Sequence, residues 1–422
     1  MIRFLKNYFF LVPAGIITIA VIILNLPFVA PIHDSDSQWY ISIAEGHIEN
    51  VMKPFSGRFF HSFLAGQISS YFSADLTQVF LLLAVFSLFF FFVITTLILR
   101  KLDLSYFLIV PFFLLPLFLR TFHDIFLPDG FYLFLTAAFF LFVFYEMDVA
   151  SLLTLFLLFL ARESTILLGV IYLAVSLFRS KRAFSFAIFL VMVVSIFTAN
   201  QINNIGLPNT HSMNNFSYVA FKVPFYFLNN VLGVRLWVNT LQNCVPIFKI
   251  MDLPNWRLFG AVHEVGFCGV DPQFPLMTVT ALLTVFGVLP VVVFYLGRNF
   301  KTIIQKSPVW LIVALFYGLG HYLVGVTVTT GIERLAAYSW PAFLLVALFF
   351  MKTYFEMDRE SLVKISLVNL FVAWLPFGLE KAYGYNAILM LFIIAIALLA
   401  YFYVFGLLKR SANLRSLNEG KN

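Results

Sequence analysis

Two carboxylates in the first long polar segment of this chain could do acid–base or metal chemistry. They are Asp34 and Asp36, with Tyr40 four residues after the second acid. A helix N-cap accounts for one of these residues, but not for both acids with a His before them and a Trp-Tyr pair after them. A carboxylate held against a hydroxyl acts as a general base. Two hard carboxylates can instead bind Mg²⁺ or Mn²⁺, and both interpretations stay open.

A cation in an aromatic setting follows in the same segment. Arg58 stands in the run Pro-Phe-Ser-Gly-Arg-Phe-Phe, which ends at His61. The planar guanidinium fork suits phosphate, so this stretch is a candidate for holding an anionic group. The alternative for Arg58 is that its long side chain snorkels to lipid headgroups.

Three later turns bring further acids and bases between apolar runs. They are Pro128-Asp129, Arg162-Glu163 and Glu333-Arg334. Asp129 also fits ordinary capping of a helix start, and Arg162-Glu163 also fits an ion pair that satisfies itself. Charges in such places usually face an aqueous cavity or each other.

The amino-acid composition indicates which kind of structural element positions these turns. Hydrophobic residues make up 62% of the 422 residues, charged residues 11%, and mean hydropathy is +0.95. Soluble domains average about 45–50% apolar and about 25% charged residues, so lipid must be the solvent for most of this chain. The net charge of +7 would suggest nucleic acid in a soluble protein. Here the basic residues lie between apolar segments, where they set topology, and we expect no nucleic-acid partner.

The sequence predicts an all-α polytopic membrane protein with about twelve spanning helices, within a range of eleven to thirteen. With twelve helices every Lys/Arg cluster falls on one side, which the positive-inside rule makes cytoplasmic, together with both termini. The polar turns then share the extracytoplasmic side, where they predict a common cavity for an anionic, hydroxyl-rich ligand. If 150–178 is one long helix, the count falls to eleven. The candidate segments are 8–30, 78–99, 104–120, 129–146, 150–161, 164–178, 183–200, 276–297, 309–329, 336–351, 362–379 and 386–408.

Three regions follow from this pattern. Residues 1–200 form an N-terminal membrane module whose first outer loop, 31–77, carries the chemistry, and residues 276–422 form the C-terminal membrane helices. Between them, 201–275 is predicted to be an extracytoplasmic loop or cap with short helices. It holds both cysteines of the chain, Cys244 and Cys268. An oxidising compartment permits a disulfide between them, and two free thiols are the alternative.

The polar turns resemble, in order, the marks of the GT-C superfamily of membrane glycosyltransferases, which take a sugar from a polyprenyl-phosphate carrier. The resemblance covers most of the membrane region. Each match is short, and it is their order and sidedness together that indicate the family. The matches are Asp36 through Tyr40 to Ile43-Ala44, Pro54-Phe55 through Arg58, Pro128-Asp129, Arg162-Glu163-Ser164, and Glu333-Arg334 followed by Tyr338 and Pro341.

The resemblance implies a role for each candidate. An acid of the first loop, Asp36 before Asp34, acts as general base on the hydroxyl of a lipid, glycan or protein acceptor. The sugar is a hexose or pentose transferred with inversion, in a bacterial or archaeal plasma membrane and on its extracytoplasmic face. Some relatives use a divalent metal, Mg or Mn, which Asp34 and Asp36 would bind, and many do not. The residues implied in donor binding are Arg58, Arg162, Arg334, Tyr40, Glu163, Asp129, Glu333 and His61.

Other functions are compatible with a many-helix membrane chain. A transporter or flippase for a lipid-linked or anionic substrate would place charges near mid-membrane, and many such folds repeat in matched halves, whereas this sequence shows no long-period repeat. A ligase or polymerase of surface glycans would still transfer sugar. A membrane acyltransferase would need a deep catalytic His, for which His321 is the candidate. The acids and bases lie at helix ends, which favours catalysis at a membrane surface.

Overall fold

The computed structural model describes residues 11–25, 36–104, 106–207, 215–238, 244–252, 264–295, 307–327, 331–384 and 386–419. Over these residues the chain is mostly helical, as predicted for a membrane protein. Five described helices are long and apolar enough to cross a membrane, or six if one bent pair is counted as a single span.

Short connections join most helices of the N-terminal region. In chain order they are α1 (Leu11–Asn25), α2 (Ser37–Ala44), α3 (Phe60–Phe72), α4 (Leu76–Lys101), α5 (Tyr106–Phe113), α6 (Pro116–Thr121), α7 (Asp129–Phe144), α8 (Asp148–Ala161), α9 (Thr165–Phe178) and α10 (Arg182–Ile205).

A cap region and the C-terminal helices follow. They are α11 (Asn215–Leu232), β1 (Val234–Val238), β2 (Phe248–Asp252), β3 (Glu264–Val270), α12 (Gln273–Phe286), α13 (Leu289–Tyr295), α14 (Val309–Thr327), α15 (Ile332–Ala337), α16 (Trp340–Phe349) with a π-turn at Phe350–Tyr354, α17 (Arg359–Tyr383) and α18 (Ala387–Glu419).

Several predicted spans are interrupted. The chain breaks between α8 and α9 at Arg162-Glu163-Ser164, so the pair of short helices is present and the single helix over 150–178 is wrong. The span predicted over 104–120 is divided into α5 and α6, and that over 276–297 bends by 91° between α12 and α13. Several helices are therefore shorter than the roughly 20 residues that a simple crossing needs.

Helices α7 and α16 form the centre of the packing. Most residues of α7 are buried, and in α16 nine of the ten are. A helix that is apolar on every side is stable only when other helices or lipid surround it. α7 packs against α4, α8 and α14, and α16 packs against α14 and α13. The residues at the first turns of these two helices are therefore held in fixed positions.

The polar turns and the basic residues lie at opposite ends of the central helices. α7 begins at Asp129 and ends next to Tyr145, whose ring lies 4.2 Å from Nζ of Lys101. α9 begins just after Glu163 and ends at Arg179, which donates to the backbone oxygen of Ser307. The sequence analysis divides the charged residues into the same two groups, the polar turns and the Lys/Arg clusters.

The cap holds a three-stranded antiparallel sheet in the order β1-β3-β2. The prediction of a purely helical chain did not include this sheet. A disulfide joins Cys244 to Cys268, which decides between the two alternatives that the sequence left open. The bond ties the segment before β2 to β3.

Candidate functional site

A buried carboxylate stands at the first residue of α7. Asp129 has a side chain only 2% exposed, and its two oxygens accept from Nη1 of Arg162, Nε of Arg334 and the hydroxyl of Tyr338. The guanidinium of Arg162 also lies 4.8 Å from the centre of the Tyr338 ring. The helix N-terminus adds to the favourable field for this anion. These three donors engage both carboxylate oxygens of Asp129, so the side chain acts as a fixed counter-ion.

A second carboxylate beside this group is open to solvent. Asp36 is at the N-cap position of α2, yet its side chain makes no capping hydrogen bond. Its Oδ2 lies 3.5 Å from Nη1 of Arg334, and its side chain is 37% exposed. The first-loop acid that the sequence ranked first is thus in the cluster. Asp34, its second choice, lies outside the described residues.

Two contacts fix the position of α2. The hydroxyl of Ser37 donates to Oδ2 of Asp124 at 2.6 Å, and Oδ1 of Asp124 accepts from the backbone N–H of Phe126 at 3.1 Å. Burial raises the pKa of the Asp124 carboxyl, and these hydrogen bonds oppose the rise. On the other side, α3 approaches so closely that a Cβ at Gly66 would meet the carbonyl oxygen of Ala44. The helix bearing Asp36 is held at both ends.

Arg334 connects the two acids. Its Nε donates to Asp129 and its Nη1 faces Asp36, whereas its Nη2 is buried without a hydrogen-bond partner among the described residues. A buried donor left unsatisfied costs about 1–3 kcal/mol, more when it is charged. This nitrogen therefore marks a place where an acceptor oxygen of a ligand would be favoured.

The first loop supplies a third arm of the cluster. Arg58 donates to Glu163 through two nitrogens, with Nε to Oε2 at 2.6 Å. Burial opposes ionisation of Glu163, but Arg58 outweighs it and lowers the pKa of the carboxyl to about 2. The Glu163 side chain is nevertheless 61% exposed, so water screens the pair and we give it a positioning role rather than a large stabilising one.

Tyr40 points its hydroxyl into the middle of the cluster. The residue is fully buried, and burial raises the pKa of its hydroxyl while Arg58, Arg162 and Arg334 oppose the rise. Arg58 is near, but no hydrogen bond of normal geometry satisfies this hydroxyl among the described residues. Together with Nη2 of Arg334, it is a second buried polar group available to a ligand.

The sequence analysis missed one cation. Lys222 on α11 is close enough to Arg58 and Glu163 to interact with both electrostatically. Burial and then Arg58 lower the pKa of its ammonium to about 8, and Glu163 opposes the shift. Its only signal in the sequence is a single Lys inside an aromatic stretch, Val-Ala-Phe-Lys-Val-Pro-Phe. We call Asp36, Tyr40, Arg58, Asp129, Arg162, Glu163, Lys222, Arg334 and Tyr338 the charge cluster.

Within the described residues, the charge cluster has four cations and three carboxylates. This leaves one net positive charge, and buried or half-buried positive groups attract an anion. The predicted donor-binding residues Arg58, Arg162 and Arg334 all belong to it. The prediction that separate turns converge around Asp36 therefore holds geometrically, although Asp129 is the residue at their centre.

The side chain of Glu333 points away from the charge cluster and does not belong to it. Its Oε2 lies 3.0 Å from Nε of Arg120, whose Nη2 contacts Glu380 at 2.6 Å. Burial raises the pKa of the Glu333 carboxyl to about 7, with Arg120 opposing and Glu380 adding to the rise. Glu333 and Glu380 line a small open cleft with Thr280. The prediction that Glu333 belongs with the phosphate-binding residues is corrected, because successive residues of a helix point about 100° apart.

His61 does not act as a cation at the charge cluster. It is buried between the rings of Phe80 and Phe131, with centroids 5.3 and 5.4 Å away. Burial lowers the pKa of its imidazole to about 4, so the ring is neutral at pH 7. Its predicted role in binding phosphate by charge is therefore corrected to one of packing beneath Asp129.

Below the charge cluster, hydroxyl groups continue into the helix packing. Thr165 donates to the hydroxyl of Tyr132 at 3.3 Å, and that hydroxyl lies 3.4 Å from the hydroxyl of Tyr317. His321 is 1% exposed and packs edge-on against Tyr317 and Tyr338. His321 is therefore a buried, packed histidine.

Among the described residues, no group of potential metal ligands is found around Asp36. Over the described stretches, no three His, Cys, Asp or Glu side chains come together in the way a metal ion requires. The pair that the sequence suggested includes Asp34, outside those stretches, so the metal prediction stays open. Arg334 supplies the positive charge next to Asp36 in the structure.

The chain was compared with known proteins in two ways. A scan against protein-family models matches no family, and a search of curated proteins finds no relative.

Proposed function

We propose that this protein is an integral membrane glycosyltransferase that moves a sugar from a polyprenyl-phosphate donor to an acceptor hydroxyl. The observation that carries this proposal is the pairing of an open acid with an unsatisfied cation. Asp36 is solvent-accessible, and 3.5 Å away Arg334 has a buried Nη2 without an acceptor among the described residues. A base and an anion-binding group side by side suit a reaction in which a hydroxyl attacks and a phosphate leaves.

The reaction is a single inverting displacement. Asp36 takes the proton of the acceptor hydroxyl as its oxygen bonds to the anomeric carbon of the donor. The bond from that carbon to the phosphate oxygen breaks on the opposite face, and the prenyl phosphate leaves with both electrons. Arg334 donates through Nη2 to the phosphate oxygen that gains charge, with the hydroxyl of Tyr40 near the same anion. Groups fixed in advance stabilise such charge without reorganising.

The membrane setting matches a lipid-linked donor. We propose twelve crossings, made by the five long helices, the bent pair and six shorter apolar helices. The charge cluster then lies at the extracytoplasmic ends of the central helices, and both termini are cytoplasmic. The disulfide in the cap supports this orientation, since such bonds persist in oxidising compartments. A prenyl tail can remain in lipid while its phosphate enters the charge cluster. The sugar, the acceptor and any metal requirement stay unassigned.

A vesicle experiment tests the proposal against transport. The purified full chain is reconstituted in sealed vesicles with polyprenyl-phosphate-linked hexoses and pentoses labelled on the sugar, and membrane extract supplies acceptors. We expect the label to leave the prenyl-soluble fraction while prenyl phosphate accumulates. Asp36→Asn should abolish this release, and Glu45→Gln, an exposed acid at the end of α2, should retain it. Movement of intact donor across the bilayer without cleavage would overturn the proposal in favour of a flippase.

A further inference from the structure

Exposed apolar side chains concentrate on the sheet of the cap. Val245, Ile247, Phe248 and Val270 are between 56% and 87% exposed. Three of them lie on or just before β2, one of the two edge strands in the described sheet order β1-β3-β2. A solvated outer strand is normally protected by charges or covered, because it invites association. We call these four residues the sheet patch.

The helix that leads into the sheet has a second exposed apolar surface. Val223, Phe227 and Val231 on α11 recur every four residues, which places them on one side of the helix, and each is 38–41% exposed. Another part of the same helix is anchored, since Nδ2 of Asn230 donates to the backbone oxygen of Val326 at 2.8 Å. We call the three residues the α11 stripe.

Contacts at the base of the sheet fix its height relative to α12. The N–H of Asp271 donates to the carbonyl of Gly233 at 2.7 Å, and the guanidinium of Arg235 lies 5.4 Å from the centre of the Phe274 ring. Gln273 begins α12, the first half of the bent pair that is apolar enough to be a span. The sheet is therefore joined firmly to the end of a membrane helix.

The sheet patch lies close to the start of α12. Val270 precedes the first residue of α12 by three positions. At about 3.3 Å per extended residue, it is within roughly 10 Å of the helix. Ile247 contacts the same end of β3, because its Cδ1 is 3.9 Å from where a Cβ of Gly269 would be. The headgroup region adds roughly 5–8 Å on each side of the hydrocarbon core, a thickness comparable with this separation.

We infer that the sheet patch and the α11 stripe form a lipid-contact surface that rests the cap on the bilayer. The occupant is the headgroup and upper acyl region of the leaflet from which the cap rises. A lipid surface fits better than a protein partner because β3 leads directly into α12, which belongs to a helix pair of membrane-crossing composition. The inference is independent of the reaction at the charge cluster.

Photo-crosslinking in liposomes tests this surface. A benzoylphenylalanine replaces Phe248 in the full chain, which is reconstituted at low protein density and irradiated. The same amino acid at Phe189, exposed on the candidate span α10, is the positive control for lipid contact. At Glu49, an exposed residue of the first loop, it is the negative control.

We expect mass spectrometry to find phospholipid adducts at position 248 at a yield within about threefold of that at position 189, and at least tenfold above that at position 49. Adducts to a second copy of the chain would overturn the inference, and so would a lipid yield at 248 no higher than at 49. Normal sugar transfer by the labelled protein would not alter either conclusion, because the readout is contact with lipid.

Discussion

Two aspartates of the charge cluster show how the same side chain is used in different ways. Asp129 is 2% exposed and accepts from two guanidiniums and a phenol, whereas Asp36 is 37% exposed and faces one guanidinium nitrogen at 3.5 Å. A buried anion with full partners stays ionised and fixes those partners. An open anion can approach a substrate. This difference in exposure and partners indicates that Asp129 positions the arginines and that Asp36 is free to react.

Removing the charge of Asp129 should have the largest effect. Asp129→Asn leaves Arg162 and Arg334 without their counter-ion, so we expect the free energy of unfolding to fall by about 3–5 kcal/mol. Thermal unfolding of the detergent-solubilised protein measures this loss. Asp148→Asn is the matched control, because Asp148 also begins a helix but is exposed. Equal stability of the two variants would contradict the role of Asp129 as a buried counter-ion.

Arg334 joins the two aspartates, and its third nitrogen should matter for donor binding. Arg334→Lys keeps the charge but cannot reach Asp129 and Asp36 and still offer a free donor. We expect KM for the prenyl-linked donor to rise about 10–100-fold, the range for a lost charged hydrogen bond. Arg120→Lys, which changes an arginine outside the charge cluster, should leave KM within about twofold. A similar rise in both variants would point to a general loss of folding.

Ser37 holds the helix that carries Asp36, so its loss should have a moderate effect on turnover. Ser37→Ala removes the 2.6 Å hydrogen bond to Asp124. We expect kcat to fall roughly 3–30-fold, because the base moves away from its productive position. Ser42→Ala on the same helix is the control, since no side-chain hydrogen bond is found for Ser42 in the described part of the chain. Unchanged kcat in Ser37→Ala would show that this contact does not position Asp36.

Glu333 should affect stability slightly and turnover hardly at all. Its pKa is raised from 4.5 to about 7, so the folded protein holds the proton more tightly than the unfolded chain. The stability from this group is therefore complete below pH 4.5 and declines as the pH rises towards 7. Glu333→Gln should remove this decline and raise the melting temperature above pH 7 by roughly 1–3 °C relative to wild type. A parallel pH dependence in both proteins would contradict the assignment, as would loss of sugar transfer.

The sequence predicted the convergence of the polar turns because it depends on helix order and charge sidedness. Arg58, Asp129, Arg162 and Arg334, which come from four separate turns, lie together in one cluster. The break at Arg162-Glu163 was also predictable, since two charges interrupt an apolar run. These features are determined by composition along the chain, which the sequence shows directly.

The sequence could not show which acid is buried. Asp36 and Asp129 both stand at helix starts, and only the packing of α7 inside the bundle separates their environments. Nor could it show that Glu333 and Arg334 diverge, because their directions depend on the rotation of the short helix α15. Lys222 is distant in sequence from Arg58 and Glu163, and only the tertiary fold brings it close enough to interact with them. The cap sheet depends on pairing between strands distant in sequence.

The rate of the chemical step in Asp36→Asn tests the assignment of the base most directly. Donor binding and single-turnover sugar release are measured on the same preparation, together with its melting temperature. The account predicts a rate lower by about 10²–10⁴-fold, with donor affinity within about threefold and melting temperature unchanged. A wild-type rate in this folded variant would contradict the account.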